Sequence, residues 1–495
     1  MKTTADWSAL AQTLTLHGQA YIDAKFQPAL SGETFASINP ATEQKLIDVA
    51  SCDSADVDLA VAAARKAFRA GDWSQAAPAK RKRVMLKFAD LVEQHKDELA
   101  LLDTLDMGKS INEMVNIDMP DVIDCLRWTA ETIDKSYGEI APTASNTLGL
   151  ISHHPVGVVA LITPWNYPML MATWKLAPAL SAGNSVILKP SEKASLSVLR
   201  LAELATEAGI PDGVFNVVPG YGHTAGKALA LHMDVNVLAF TGSTRVAGML
   251  MGYSGESNMK RVWIEAGGKS PVVVFDDYAD IKNAAATAAA AIFCNQGEVC
   301  IAGSRLYLQS SIKEQFLAEL VEAAAHYQPG NPLDPNTTMG PMVDRAQLAT
   351  VERYIQSAID EGGKVLVGGL PEYVEGQGYF ARPTIITDAN NNMTFVREEI
   401  FGPVLAVQEF ETEEQALELA NDCIYGLGAS VWTDNLSRAH RVSSKIESGM
   451  VWVNTWGGGD TTMPFGGVKG SGNGRDKSLH AMEKYMDLKS VWISI

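Results

Sequence analysis

Short runs of apolar, often β-branched residues alternate along this chain with longer stretches whose apolar positions recur at helical spacing. Residues 55–72 and 80–102 carry the helical pattern near the start. From residue 156 the pattern changes. VGVVALITP (156–164) is a continuous apolar run ended by proline, and SVILKP (185–190) is a second, followed by the helical stretch SLSVLRLAELATEAG. GVFNVVPG (213–220) is a third and NVLAFTGS (236–243) a fourth, again followed by a helical pattern. Such runs between helices predict a parallel sheet with helices on its faces. Ligands of these sheets bind beyond the carboxyl ends of the strands. The runs end in PWN, KPSE, PGYGH and TGSTR, so these four turns are expected along one rim. A second alternating set begins at VVVFDD (272–277). An Ala-rich helix (283–292) follows, then strand-like SRLYLQ (304–309), PTIIT (383–387) and GPVLAVQEF (402–410), which predicts a second α/β domain. The runs at 145–155 and 489–495 look like strands whose edges need partners.

Length and charge narrow the classes. The 495 residues are enough for two or three domains. Net charge is −18, which argues against nucleic acid or an anionic membrane as the main partner, since both demand basic surface. MKTTADWSAL does not read as a signal peptide, and no run of 18 apolar residues reads as a membrane helix. The five cysteines (Cys52, Cys125, Cys294, Cys300, Cys423) form no CxxC pair and no Cys/His metal spacing. Free thiols in a reducing cytoplasm are expected, with no metal site.

One thiol stands apart. In NQGEVCIAGSR (295–305), Cys300 lies among glycines and small polar residues, in a loop too Gly-rich for a stable helix interior. Cys294, six residues earlier at the end of the Ala-rich helix, reads as packing.

Around Cys300 and along the rim stand PWNYP (164–168), KPSE (189–192), FTGST (240–244), EAGGKSP (265–271), NQGEVC (295–300), EEIFGPV (398–404) and PFGGVKGSGNGRD (464–476). With these seven motifs in this order, the chain resembles the NAD(P)-dependent aldehyde dehydrogenase superfamily over essentially its whole length. The resemblance implies the α/β aldehyde dehydrogenase fold, with three parts. These are a Rossmann-like cofactor domain (1–135 and 156–266), an α/β catalytic domain (267–481) and a small β oligomerisation arm (136–155 and 482–495). It implies a homo-oligomer, tetramer or dimer, and the oxidation of an aldehyde to a carboxylate.

The resemblance also gives roles. Cys300 is the nucleophile: hydride leaves a tetrahedral alkoxide far more readily than a carbonyl, and thiolate addition makes that adduct. Asn166, with the Cys300 backbone N–H, donates to the developing oxyanion. Glu265 is the base that activates water to release the thioester. Lys189 and Glu192 bind the adenosine ribose hydroxyls, and a glutamate there favours NAD, with NADP as the alternative. Gly242 and Ser243 meet the pyrophosphate at a helix N-terminus, Trp165 walls that site, and Glu399 and Phe401 position the nicotinamide ribose and ring. Ala247 stands where the family pattern has glycine.

Two segments are expected to line the substrate tunnel, 116–128 and 454–467. The first carries Asp118 and Asp121, three apart and so expected on one helix face, with Asp124 beyond. The second carries Asp460 and Trp456, and Trp174 adds another aromatic wall. The acidic spacing resembles aminoaldehyde dehydrogenases. GGGDTTMPFGG and SGNGRDKSLHAMEKY resemble bacterial enzymes that oxidise γ-glutamyl-γ-aminobutyraldehyde or 4-guanidinobutyraldehyde in polyamine and arginine breakdown. A betaine aldehyde or a broad range of aliphatic aldehydes is the alternative substrate. An acyl-CoA-forming member and a catalytically silent structural protein of the same fold are the rival functions. Glu265 speaks against the first, and the presence of Cys300, Asn166 and Glu265 together against the second.

Overall fold

The strands Val158–Ile162 and Ser185–Lys189 are buried at every residue, which is why their sequences are apolar throughout instead of alternating. In the computed structural model, which describes residues 2–495, they form the middle of a seven-stranded sheet. Its parallel part runs Arg261–Ala266, Val237–Gly242, Val158–Ile162, Ser185–Lys189, Phe215–Val217, and the hairpin Ala20–Ile22 and Lys25–Gln27 adds two antiparallel strands at the far edge. Strand order reverses between Val158–Ile162 and Val237–Gly242. The crevice that opens at such a reversal lies between the turns that follow these two strands, at Pro164–Asn166 and Gly242–Ser243.

A second seven-stranded sheet runs Lys364–Val367, Thr384–Thr387, Val404–Phe410, Arg305–Gln309, Pro271–Val274, Gly428–Trp432, Met450–Val453, with only Lys364–Val367 antiparallel. The chain crosses from the first sheet to the second between Ala266 and Pro271. The two strand-like runs near 145–155 and 489–495 pair with each other: Thr147–Pro155 lies antiparallel between Met486–Ser494 and Glu139–Ala141. Among the described residues no strand pairs with the outer edge of Met486–Ser494, and Leu488 and Trp492 are each 68% exposed on it.

The helical stretch at 80–102 is two helices, Pro78–Gln94 and Lys96–Met107. His95, at φ −99° and ψ 13°, breaks the run. Both helices pack on Leu196–Ala208, and the break lets the first also pack on Met119–Thr132 while the second turns onto the strand Thr34–Asn39. Among the strands whose pattern was too weak to be expected from sequence are Arg261–Ala266, Lys364–Val367, Gly428–Trp432 and Met450–Val453. Among the described residues no helix is long and apolar enough to cross a membrane.

Candidate active site

Cys300 is delivered by an abrupt turn. The helix Ile281–Phe293 ends, and Asn295 and Gln296 both take left-handed backbone (φ 44° and 56°), followed by Gly297 at φ 73°. Non-glycine residues in that region cost about 1–3 kcal/mol each, so neighbours must hold them. The Asn295 amide donates to the carbonyl oxygens of Asn166 (3.0 Å) and Glu298 (3.2 Å). Gln296 accepts from the Gly340 N–H (3.0 Å) and donates to the Pro341 carbonyl (3.1 Å). Trp456 braces the far side of the loop, its indole N–H donating to the Ile301 carbonyl at 3.2 Å. The thiol therefore sits at a fixed point.

That point joins two cavities. One, of about 220 Å³, is lined by Trp165, Asn166, Gly242, Ser243, Glu399 and Phe401, and it reaches Cys300 from the reversal crevice of the first sheet. The other, of about 170 Å³, reaches Cys300 from the opposite side past Trp174, Trp452 and Phe465.

Asn166 is buried, and its amide donates one hydrogen bond to the Glu298 carbonyl at 2.9 Å. A primary amide has a second N–H, which remains for a ligand. The backbone N–H groups of Cys300 and Ile301 lie against the sulfur and favour the thiolate, but burial, with the nearby Glu265 and Glu399, outweighs them and pushes the thiol well above its ordinary range.

Glu265 is the penultimate residue of the strand Arg261–Ala266, opposite Thr241. Its Oε2 accepts from the Thr241 hydroxyl at 3.1 Å and faces Lys175 Nζ at 3.7 Å. Its Oε1 is buried without a partner. Burial pushes the carboxyl up to about 7, against the pull of the Lys175 charge. Behind it, Asp476 is clasped by Lys175 and Lys484, which hold its carboxyl well below the usual range although burial opposes them. Glu265 is thus the member of this cluster poised to exchange a proton near neutrality.

The two glycines after Ala266 stand at close approaches, Gly267 to the end of a side chain and Gly268 to backbone. A Cβ on Gly267 would lie 2.0 Å from a Glu399 carboxylate oxygen, and one on Gly268 would lie 2.5 Å from the Cys300 carbonyl oxygen. Glu399 accepts from the Gly268 N–H at 3.1 Å, and burial lifts its carboxyl to about 7. Phe401 takes left-handed backbone (φ 58°) and is held there by Gln347, whose amide donates to the Ile400 and Phe401 carbonyls at 2.9 and 2.7 Å. The Phe401 ring meets Trp165 edge to face, centroids 5.3 Å apart.

Ser243 caps the helix Thr244–Glu256, its hydroxyl accepting from the Val246 N–H at 3.4 Å. Ala247 is buried in the cluster that includes Phe240 and Leu250, so its methyl fills space between helix and sheet. Further along the rim, Lys189 donates to the carbonyls of Pro190 (2.6 Å) and Gly220 (2.7 Å), and Glu192 lies 3.8 Å from its Nζ. Burial draws the Lys189 ammonium down to about 8, with Glu192 opposing.

The chain and its fold match known proteins. The model of the aldehyde dehydrogenase family matches residues 26–491. This chain belongs to the aldehyde dehydrogenase family. It is 53% identical over 491 residues to the NADP/NAD-dependent aldehyde dehydrogenase PuuC of Escherichia coli K12, covering 99% of this chain and 98% of that one. The indole-3-acetaldehyde dehydrogenase of P. syringae, solved in complex with NAD+, superposes with a TM-score of 0.99 at 55% identity over the full length of both chains. The γ-glutamyl-γ-aminobutyraldehyde dehydrogenase of Burkholderia cenocepacia J2315 does so at 0.97 and 51%, again over the full length of both.

The aldehyde dehydrogenase frame distributes the acidic residues unevenly. Asp121 and Asp460 line the cavity beyond Cys300, with Trp174. Asp118 does not. It is 1% exposed, with both oxygens 2.8 Å from Lys109 Nζ. Three helical residues turn through about 300°, which leaves their side chains about 60° apart. Here that angle carries Asp118 into the buried ion pair while Asp121 meets the cavity. Asp124 is exposed. Trp456 lies behind the Cys300 loop, and the cavity wall is Trp452 instead. Sequence reading passed over Trp452, Phe465, Gln347 and Lys477. Trp452 carried a signal, an aromatic in a strand that ends at the tunnel loop.

Proposed function

We propose that this aldehyde dehydrogenase oxidises ω-amino-type aldehydes to carboxylates, with NAD+ or NADP+ as hydride acceptor. One observation carries the reading: Cys300 stands where two cavities meet, and the far wall of one of them carries Asp121. The γ-glutamyl-γ-aminobutyraldehyde relative supports a nitrogen-bearing substrate.

The residues divide the reaction as follows. Cys300 loses its proton to solvent water and, as the thiolate, attacks the carbonyl carbon. The free N–H of Asn166 and the Cys300 backbone N–H take the alkoxide, whose collapse expels hydride and leaves a thioester on the sulfur. Glu265, ionised above about pH 7, then takes a proton from water, and the hydroxide adds to the thioester carbon, which breaks the carbon–sulfur bond, expels the Cys300 thiolate and releases the acid. Bound NAD(P)+ supplies the hydride acceptor and a positive ring that favours the thiolate. The fit to that group is good: the cavity opens onto the helix N-terminus at Gly242 and Ser243, and Trp165, Phe401 and Glu399 line it on the cofactor side.

Glu192, about one-third exposed, sets cofactor preference by accepting from the ribose 2′-OH and repelling a 2′-phosphate. Glu192→Ser is expected to raise the NADP+ to NAD+ ratio of kcat/KM by about tenfold, equal to about 1.4 kcal/mol. An unmoved ratio would mean that the 2′ position is recognised elsewhere.

Asp121 anchors the substrate nitrogen. Burial raises its carboxyl, with Lys477 opposing. Asp121→Asn should lower kcat/KM for 4-guanidinobutanal by about ten- to a hundredfold relative to hexanal, the value of one charge-assisted hydrogen bond. An equal fall for both aldehydes would sink the amine assignment. It would favour a second reading, an arylacetaldehyde substrate, which the aromatic wall of Trp174, Trp452 and Phe465 and the P. syringae relative support.

The Met486–Ser494 edge joins a second copy of the chain. Its unpaired backbone and the exposed Leu488 and Trp492 support this.

A further inference from the structure

The loop that carries Cys300 is braced from outside the site. Ile111–Glu113 and Met119–Thr132 are α-helical, but Met114–Asp118 between them forms a single π turn, with the Met119 N–H donating to the Met114 carbonyl. In a regular α-helix residues five apart point about 140° away from each other. An i→i+5 turn stacks them instead, and such turns recur at functional sites. Here Asp118 meets Lys109, and Glu113, five residues earlier, meets the Cys300 loop: its Oε1 accepts from the Asn295 backbone N–H at 3.3 Å. Burial raises the Glu113 carboxyl, with the Lys109 charge opposing. Among the described residues its other oxygen, Oε2, is buried without a partner. An unanswered buried carboxyl oxygen costs stability, and exceptions of this kind are expected where a residue serves a site.

Asn295 is the hub of this brace. It is fully buried and takes left-handed backbone. Its side-chain amide holds two carbonyls. One is that of Asn166, and the other is that of Glu298, on which the Asn166 side-chain amide also docks at 2.9 Å. Backbone and side chain of Asn166 therefore both depend on where Asn295 sits. Without the Glu113 oxygen, the Asn295 N–H would be buried and unpaired at a residue whose backbone is already strained. The turn would relax, and the free N–H of Asn166 would move off the alkoxide. A shift of about 1 Å in a positioned group can cost about 10²-fold in rate.

We propose that Glu113 is a positioning residue for the oxyanion site: it fixes Asn295, and through Asn295 it aims the Asn166 amide at the alkoxide. This deepens the oxyanion role of Asn166 and rests on it. Glu113 lines neither cavity, so it acts only through the loop. What matters is its oxygen as an acceptor. Its charge is not needed to balance Lys109, which is already closed on both oxygens of Asp118.

First-turnover NADH formation, followed by stopped flow with saturating NAD+ and hexanal, measures the step that the oxyanion site assists. Glu113→Met keeps the volume and removes the acceptor, and it should slow this step by about ten- to a hundredfold. Glu113→Gln, whose amide oxygen can still accept, should recover most of the rate. NADH affinity by fluorescence titration should stay within about twofold of the wild type in both. The same change is then made in Asn166→Ala protein, where no side-chain amide is left to aim. There Glu113→Met should slow the step by less than about a further twofold. A full additional loss in that background overturns the proposal. So does an unchanged rate in Glu113→Met, or a loss in Glu113→Gln as large as in Glu113→Met. Should Glu113→Met not fold, Glu113→Ala takes its place in every comparison, and failure of both to fold would assign Glu113 to the fold alone and overturn the proposal. The underlying oxyanion role fails separately, if Asn166→Ala forms NADH at the wild-type first-turnover rate.

Discussion

Cys300→Ala is expected to leave a protein that binds its nucleotide and oxidises no aldehyde. Loss of a covalent nucleophile commonly costs more than about 10⁴-fold in rate. Nothing else in the site replaces it. Cys294 is a free thiol six residues away, but burial beside Glu113 pushes its thiol far above the ordinary range, and it packs with the helix-end cluster. The substitution is small, and the loop is held by Asn295, Gln296 and Trp456 rather than by the sulfur. Nucleotide binding by fluorescence titration should therefore match the wild type. Residual activity above about one per cent of the wild-type rate would remove Cys300 from its role.

Glu265→Gln should separate the two halves of the reaction. Thioester formation and hydride transfer need no base at Glu265 once the thiolate exists, so one equivalent of NADH per site should appear quickly. Hydrolysis needs the carboxylate, and its loss should slow steady turnover by about 10²–10⁴-fold. Glutamine keeps the shape and can still accept from the Thr241 hydroxyl, so the site should stay folded. The pH profile carries an independent signature. The Glu265 carboxyl lies at about 7 because burial disfavours its charge, so below that pH the base is mostly protonated and idle. Steady-state kcat of the wild type should therefore rise with pH through about 7 wherever hydrolysis limits the rate, and this rise should vanish in Glu265→Gln. An unchanged steady rate in the variant would mean that another group activates the water.

Much of this was legible in the chain because the physics involved is local or periodic. Strands buried on both faces must be apolar throughout, so the central strands Val158–Ile162 and Ser185–Lys189 showed themselves. A cysteine between glycines and small residues, following an Ala-rich helix, marked the Cys300 loop. The strand Gly428–Trp432 was not legible, because its residues, GASVW, are too small and mixed to stand out until the sheet closes over them. The tunnel was the least legible part. Asp118 and Asp121 have the same spacing on a helix wheel whether they face water, a lysine or a substrate. Only the placement of Lys109, from the preceding helix end, decides that Asp118 is paired and buried. Lys477 carried no sequence signal at all. It stands in SGNGRDKSLHAMEKY, which was informative only as a whole stretch, and it enters the cavity because two successive residues adopt left-handed backbone that their types do not announce.

The most direct test of the central claim is the mass of the trapped intermediate. Glu265→Gln would be mixed with NAD+ and an excess of an ω-amino-type aldehyde, quenched in acid within the burst, digested and analysed by mass spectrometry. The peptide containing Cys300 should gain the mass of the corresponding acyl group, in proportion to the NADH formed, with no gain on the cysteine at 294. NADH formed without any acyl group on Cys300, or an acyl group found on another residue, would contradict the account.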